Sequence, residues 1–439
     1  MKEKRIKNFD KFCLHLLLFF LLLGIIFFLG FSLGKESKNH PKQANNPNNS
    51  SQEKLLQANF DLFWESLRIL KSDFYYQDKL DDQKLLYGAI KGLLQAAGDS
   101  YTEFLPPEEA KEFNEDIQGS FGGVGMEIGI RQGNLKVITP LKGTPAERAG
   151  LKPGDIILKI DDQITNNLSL SEAVRRIRGK VGTTVVLTIF RDDWSEPKEI
   201  KIVREKIEIP VMDWRIIEKD NHKIAYFQIY NFNENLRERF LKNAFQALFK
   251  NPEGIILDLR NNPGGYLDIA VEIAGWFLER GKIVVKERLK DGTEKSLKAR
   301  GNGFFAKKPV VILINKGSAS ASEILAGALR DNRQVKIIGE TSFGKGSVQT
   351  IRYLEDNSSL KITIANWLTP NGDLIEKKGI EPDIKIENEK DKEIKLGSPE
   401  DKQFQKALEI LIQEIESTSK KLIDYPKVLL KIQNFEVVR

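Results

Sequence analysis

Val310 to Leu329 reads VVILINKGSASASEILAGAL, and this stretch decides the fold class. Val310 to Ile314 is an apolar run without alternation, the pattern of a strand buried on both faces in a parallel sheet. Asn315 ends the run, only small residues stand from Gly317 to Ser322 apart from their hydroxyls, and an apolar helical pattern continues to Leu329. Buried strand, small-residue turn and helix together predict an α/β layered unit. Small side chains let an extended backbone lie close to the turn, and a serine at a helix N-terminus sits where free N–H groups favour negative charge. The same serine also fits a cap, because Ser320 and Glu323 form the S-x-x-E of a capping box.

Working outward, the alternation repeats: strands are predicted at 223–230, 254–260 and 335–339, and helices at 234–249, 267–279 and 321–331. IILDLRNNPGG, from Ile255 to Gly265, is a second buried strand that runs into a glycine pair. Glycines there let backbone N–H groups approach an anion, as in an oxyanion hole, and an ordinary strand-to-helix turn explains them equally. A serine nucleophile needs a base, usually histidine. Of the three histidines, His15 lies in an apolar segment, His40 in a polar tether and His222 in the turn KDNHK. Lysine is the remaining common base. TSFGKGSVQ, Thr341 to Gln349, supplies Lys345 between two glycines, with Gln349 four residues on to orient it. Desolvation would bring that ammonium toward the working range of a base.

The 439 residues suggest roughly three structural units. A single cysteine, Cys13, and only three histidines exclude disulfide frameworks and Cys/His zinc sites, and acyl transfer by a serine and a lysine requires neither a metal nor a cofactor. The net charge is +6, and residues 1–11 hold five cations against two anions, half of that excess. No basic block interleaved with aromatics remains elsewhere, so nucleic acid is not an expected partner. Leu14 to Leu33, LHLLLFFLLLGIIFFLGFSL, has no formal charge and is long enough as a helix to cross about 30 Å of hydrocarbon. The basic residues before it place the N-terminus in the cytoplasm and the rest of the chain outside. An Asn/Pro/Ser-rich tether follows, and then two helical patterns near 55–71 and 85–97, which read as a cap or as a dimerisation element of a homodimer.

Phe121 to about Glu205 opens with FGGVGMEIG, contains the capping-box pattern Thr144-Pro145-Ala146-Glu147 and carries GLKPGDIILKIDD in its middle. This arrangement resembles a PDZ domain in its permuted bacterial form. The resemblance implies that Gly122, Gly123, Val124 and Gly125 present N–H groups to the terminal carboxylate of a peptide, which adds as a strand to an open edge.

GSASASEILAGAL, followed by SFGKGSVQ and preceded by DLRNNPGG, resembles the carboxyl-terminal processing peptidases, or tail-specific proteases; GDSYTEFLPPEE and LTPNGDLIEKKGIEPDI fit as well. The family resemblance implies a layered, crotonase/ClpP-like α/β protease core with an inserted, mainly β PDZ domain of two helices. It further implies an endopeptidase acting near the C-termini of proteins with free, apolar tails. Ser320 would be the nucleophile, Lys345 the base and Gln349 the residue that orients the lysine. The oxyanion hole would take the N–H of Ala321 and one from Gly264 or Gly265, and Arg178 would couple the PDZ unit to the site. The expected organisation is anchor 1–34, linker 35–53, helical cap 54–118, PDZ domain 119–205, protease core 206–386 and a charged C-terminal linker, helix and tail 387–439. Two rivals stand beside this reading: a catalytically inactive PDZ adaptor, and acyl-thioester chemistry at the same glycine-lined turns.

Overall fold

The computed structural model describes residues 59–191, 193–387 and 395–433, with side chains to residue 418. The expected membrane span at Leu14–Leu33 and the linker at 35–53 lie outside the described residues. Among the described residues no helix is long and apolar enough to cross a membrane. The chain divides into two units, one ending at Lys84 and the other beginning at Leu85, within the segment 54–118 expected as a cap. The first unit holds helix α1 (Asp61–Asp73), which buries none of its residues, and the start of helix α2 (Asp82–Gln95).

The second unit continues with β1 (Glu103–Leu105) and α3 (Pro107–Gln118), the latter stopped by Gly119 in the left-handed conformation that glycine adopts without a Cβ penalty. Next come β2 (Ser120–Gly123), β3 (Met126–Arg131), β4 (Asn134–Pro140), the single-turn α4 (Pro145–Arg148), β5 (Ile156–Ile160), β6 (Gln163–Ile164), α5 (Leu170–Ile177), β7 (Thr184–Phe190), β8 (Lys198–Val203) and β9 (Glu205–Glu208). They form a sheet in the order β3-β4-β5-β7-β8, while β2 and β9 make a separate ribbon. The alternate residues Val185, Leu187 and Ile189 of β7 point into this unit's own core, as the period of a half-buried strand requires. The capping box falls on α5, where Ser169 and Glu172 exchange hydrogen bonds. Thr144 does not cap α4. Its hydroxyl instead donates to the carbonyls of Gly125 and Leu141 and ties down the glycine-rich loop.

The remaining elements are β10 (Met212–Lys219), β11 (His222–Ile229), α6 (Asn235–Phe249), β12 (Gly254–Asp258), α7 (Leu267–Phe277), β13 (Ile283–Leu289), β14 (Glu294–Lys298), β15 (Val310–Ile314), α8 (Ala321–Arg333), β16 (Lys336–Gly339), β17 (Ser347–Tyr353), β18 (Ser359–Leu368), β19 (Ile384–Lys385) and α9 (Lys402–Gln433). The main sheet has the order β10-β11-β12-β15-β16-β19 and is parallel from β11 onward. Its pleat sorts the apolar runs. Ile255, Leu257, Ile312 and Ile337 face a core shared with α6, α7 and α8, whereas Ile256, Val311, Leu313 and Ile338 face Phe404, Leu408, Leu411 and Ile415 of α9. A second, antiparallel sheet has the order β1-β18-β13-β14, with β17 also on β18.

Beyond residue 386, the expected end of the protease core, the C-terminal segment packs over one face of the main sheet. It is locked there by a buried ionic network. Arg260, fully buried just past β12, donates to both carboxylate oxygens of Asp258 (2.9 and 2.6 Å), to both of Asp401 (2.9 and 2.7 Å) and to Oε1 of Gln403 (2.8 Å). Removing Asp401 leaves buried N–H groups of the guanidinium, and the N–H groups of Gly397 and Phe404, without their acceptor where water cannot reach them. The Asp401→Ala variant should lose about 3–5 kcal/mol of stability, measured as a lowered urea midpoint by tryptophan fluorescence.

Candidate active site

The turns after β12 and β15 meet at the C-terminal ends of the parallel strands, where ligand sites of open α/β sheets form. Three serines stand in this turn, and the structure separates them. Ser318 is buried and its Oγ donates to the carbonyl of Leu259 (2.8 Å); Ser322 is buried and donates to that of Asn262 (3.0 Å). Ser320, between them, is only partly buried and heads α8 with φ +55° and ψ −115°. A non-glycine residue held in that region stores about 1–3 kcal/mol of strain, which the surrounding bonds must hold in place. Gly264 permits the turn to pack: a Cβ there would come within 2.6 Å of the Ala319 oxygen and 2.8 Å of Cβ of Ser320.

The strongest restraint is Glu323. Its carboxylate, 1% exposed, accepts the N–H of Ser320 (2.8 Å) and of Lys345 (2.9 Å) on one oxygen, and the N–H of Gly344 (2.6 Å) and the hydroxyl of Ser342 (2.6 Å) on the other. Only one half of this was foreseen as a capping box. The other half joins the serine turn to the lysine turn across 22 residues of chain. Burial pushes the Glu323 carboxyl up from its ordinary value, while the four donors pull the other way. A signal for it existed in the sequence: the helix around it, Ala321 to Leu329, is apolar or small on every side, and a carboxylate buried there must be partnered.

Ser320 and Lys345 line the same cleft, of about 640 Å3, together with Gly264, Gly265, Ala321 and Gln349. No hydrogen bond joins the two side chains. Burial holds the Lys345 ammonium below the ordinary lysine value, aided by the nearby charge of Lys361 and opposed by Glu103, Glu323 and Glu376. Gln349 lines the same cleft, without a hydrogen bond to Lys345 among the described residues. Its amide donates to Oγ of Ser347 (2.7 Å) on the same strand. The two glycines differ in their hydrogen bonding: the N–H of Gly264 is taken by Oδ1 of Asn262 (2.9 Å), whereas the N–H groups of Gly265 and Ala321 have no hydrogen-bond partner among the described residues. The cleft can thus offer a hydroxyl, a half-buried amine and two unengaged N–H groups, the set needed for acyl transfer. His222 hydrogen-bonds Glu253 (2.9 Å) at the N-terminal start of β11, the opposite end of the parallel strands from this cleft.

The PDZ residues are placed less uniformly than expected. Gly122 and Gly123 lie in the β2–β9 ribbon and the carbonyl of Gly122 accepts from Gly179; Val124 is buried and its carbonyl accepts the N–H of Ala146. Gly125, at φ +75°, turns the chain into β3, an edge strand. Arg178 stacks 3.8 Å from the centroid of Phe121 and donates to Asp116 of α3 (3.1 Å), a residue that itself lines the cleft.

These features define a serine-type peptidase with a PDZ domain. Residues 223–386 match the family model for peptidase family S41, and residues 136–191 match that of the PDZ domain. The chain is 40% identical over 331 residues to the carboxy-terminal processing protease CtpA of Bacillus subtilis, covering 75% of this chain and 69% of that one. It is 41% identical over 339 residues to a protein described as a CtpA-like serine protease of Staphylococcus aureus N315, covering 76% and 66%. A solved Bacteroides fragilis structure assigned to the S41 proteases shares the fold with a TM-score of 0.51 at 16% identity, covering 80% of this chain and 97% of that one. The chain belongs to the carboxy-terminal processing proteases of peptidase family S41.

In Glu323→Gln the amide nitrogen must face two N–H or O–H donors. Such a variant should be destabilised by about 2–3 kcal/mol, with peptidase activity lost before global unfolding, as followed by circular dichroism and substrate cleavage over one urea series.

Proposed function

We propose that the protein is a membrane-anchored endopeptidase that cuts extracytoplasmic proteins near their C-termini through a Ser320–Lys345 dyad. The observation that carries the proposal is the Glu323 carboxylate, which holds the backbones of both residues on one cleft. Oγ of Ser320 attacks the scissile carbonyl carbon as its proton passes to the lone pair of Nζ of Lys345; the oxyanion that forms takes the N–H groups of Ala321 and Gly265. Lys345 then returns the proton to the leaving amine, and water, deprotonated by the same lysine, releases the acyl group. Substrate closes the remaining gap, since catalytic hydrogen bonds commonly tighten only in the complex. Gln349 acts on the cleft wall through Ser347 rather than on the lysine. The PDZ unit takes the substrate's free carboxylate near Gly125 and its tail along β3, and the Arg178–Asp116 pair carries that engagement to the cleft. The CtpA relative and the charge-free run Leu14–Leu33 support the processing role and the anchoring respectively.

Ser320→Ala and Lys345→Ala should each lower kcat/KM at least about a thousandfold on a protein with an unstructured apolar tail; full cleavage by either variant rejects the dyad. Because the free amine is the active form, kcat/KM should fall as pH drops through the Lys345 pKa, and burial places that limb below the ordinary lysine range. A pH profile with no such limb, or one at the ordinary lysine value, contradicts the assignment. Amidating the substrate's C-terminus should raise KM with kcat nearly unchanged if the PDZ unit only captures, and lower kcat if it also gates.

A further inference from the structure

GDSYTEFLPPEE, Gly98 to Glu109, lies outside the residues matched by either family model, yet it places an aromatic ring against Lys345, which lines the catalytic cleft. Asp99 builds a tight turn: its carboxylate accepts the N–H of Tyr101 (3.2 Å) and the hydroxyl of Thr102 (2.6 Å). Oγ1 of Thr102 accepts the N–H of Thr363 (3.1 Å) on β18, and β1 then pairs antiparallel with the same strand. The turn is thus fixed at both ends, and it sets Nζ of Lys345 over the ring of Tyr101, 5.4 Å from its centroid. Two residues on, Glu103 holds Lys361 at 2.7 Å and so balances the second cation near Lys345.

We propose that Tyr101 is a positioning residue for the Lys345 amine, its ring face seating Nζ and stabilising the positive charge that Nζ acquires on taking the Ser320 proton. The proposal rests on the reading of Lys345 as the base. An aromatic face attracts an ammonium and not a neutral amine, so the contact strengthens as the proton arrives, which is when stabilisation accelerates the step. The ring itself stays neutral. Burial, with the carboxylates of Glu376, Glu323 and Asp99, pushes the Tyr101 phenol up from its ordinary value. The charged groups facing Lys345 are Lys361 from β18, Glu103 from β1, Glu323 from α8 and Glu376 from the loop after β18, and none of them is altered by substituting the ring.

The test uses the full chain with Tyr101→Phe and Tyr101→Leu. Phe keeps the ring and should retain kcat and the pH profile. Leu keeps an apolar side chain without a π face; it should lower kcat roughly 2- to 5-fold at the pH plateau with KM unchanged, and move the acid limb to lower pH. Equal losses in Phe and Leu assign the effect to the hydroxyl and overturn the proposal. So does a Leu variant with unchanged kcat and limb, or one whose activity falls only with its melting temperature while the limb stays. Lys345→Ala run alongside separates the two readings: if it remains active the dyad itself fails, and if it is inactive while Leu behaves as wild type only the role of Tyr101 fails.

Discussion

The buried carboxylate of Glu323 is the interaction on which the catalytic end of the molecule depends. Two turns that come from different strands, and that have no covalent reason to stay in register, are both bonded to it through backbone N–H groups. A carboxylate in a site that excludes water is costly unless every lone pair is used, and here four donors use them. That cost makes the arrangement all-or-none. The strained Ser320 conformation persists because its own N–H is one of the four, and Lys345 approaches the cleft with its backbone already fixed.

A second buried charge performs the same service for the fold. Arg260 lies just before the turn that carries Gly264 and Gly265, and its partners come from β12 and from the start of α9. The two ionic centres thus flank the turns that could bind a reacting carbonyl, one holding serine to lysine and the other holding the glycine strand to the C-terminal helix. Between them the cleft walls come from apolar side chains such as Ile324, Val348 and Trp367, which keep the local dielectric low around Lys345.

Much of this was legible in the chain. Parallel strands could be read because burial on both faces forbids polar alternation, and the helices between them because their apolar period is 3.6. The shortage of imidazole and the small-residue turns made a serine of this turn and Lys345 candidates, and the family resemblance implied that Ser320 and Lys345 act together. What escaped reading was long-range partnership. Phe404, Leu408, Leu411 and Ile415 show a helical stripe, but nothing local says that it packs on Ile256 and Val311. Glu323 looked like a local cap, and Gln349 was assigned to Lys345 by spacing although its strand turns the amide onto Ser347.

Sequence alone determined the class of chemistry and the order of the units, because residue inventory, apolar period and turn composition are local quantities. Tertiary structure alone decided which of three serines lines the cleft, which glycine keeps a bare N–H, and that a turn before the PDZ unit sets an aromatic ring against the lysine. Those outcomes depend on which donors find acceptors after distant strands are brought together, and no local pattern encodes that pairing.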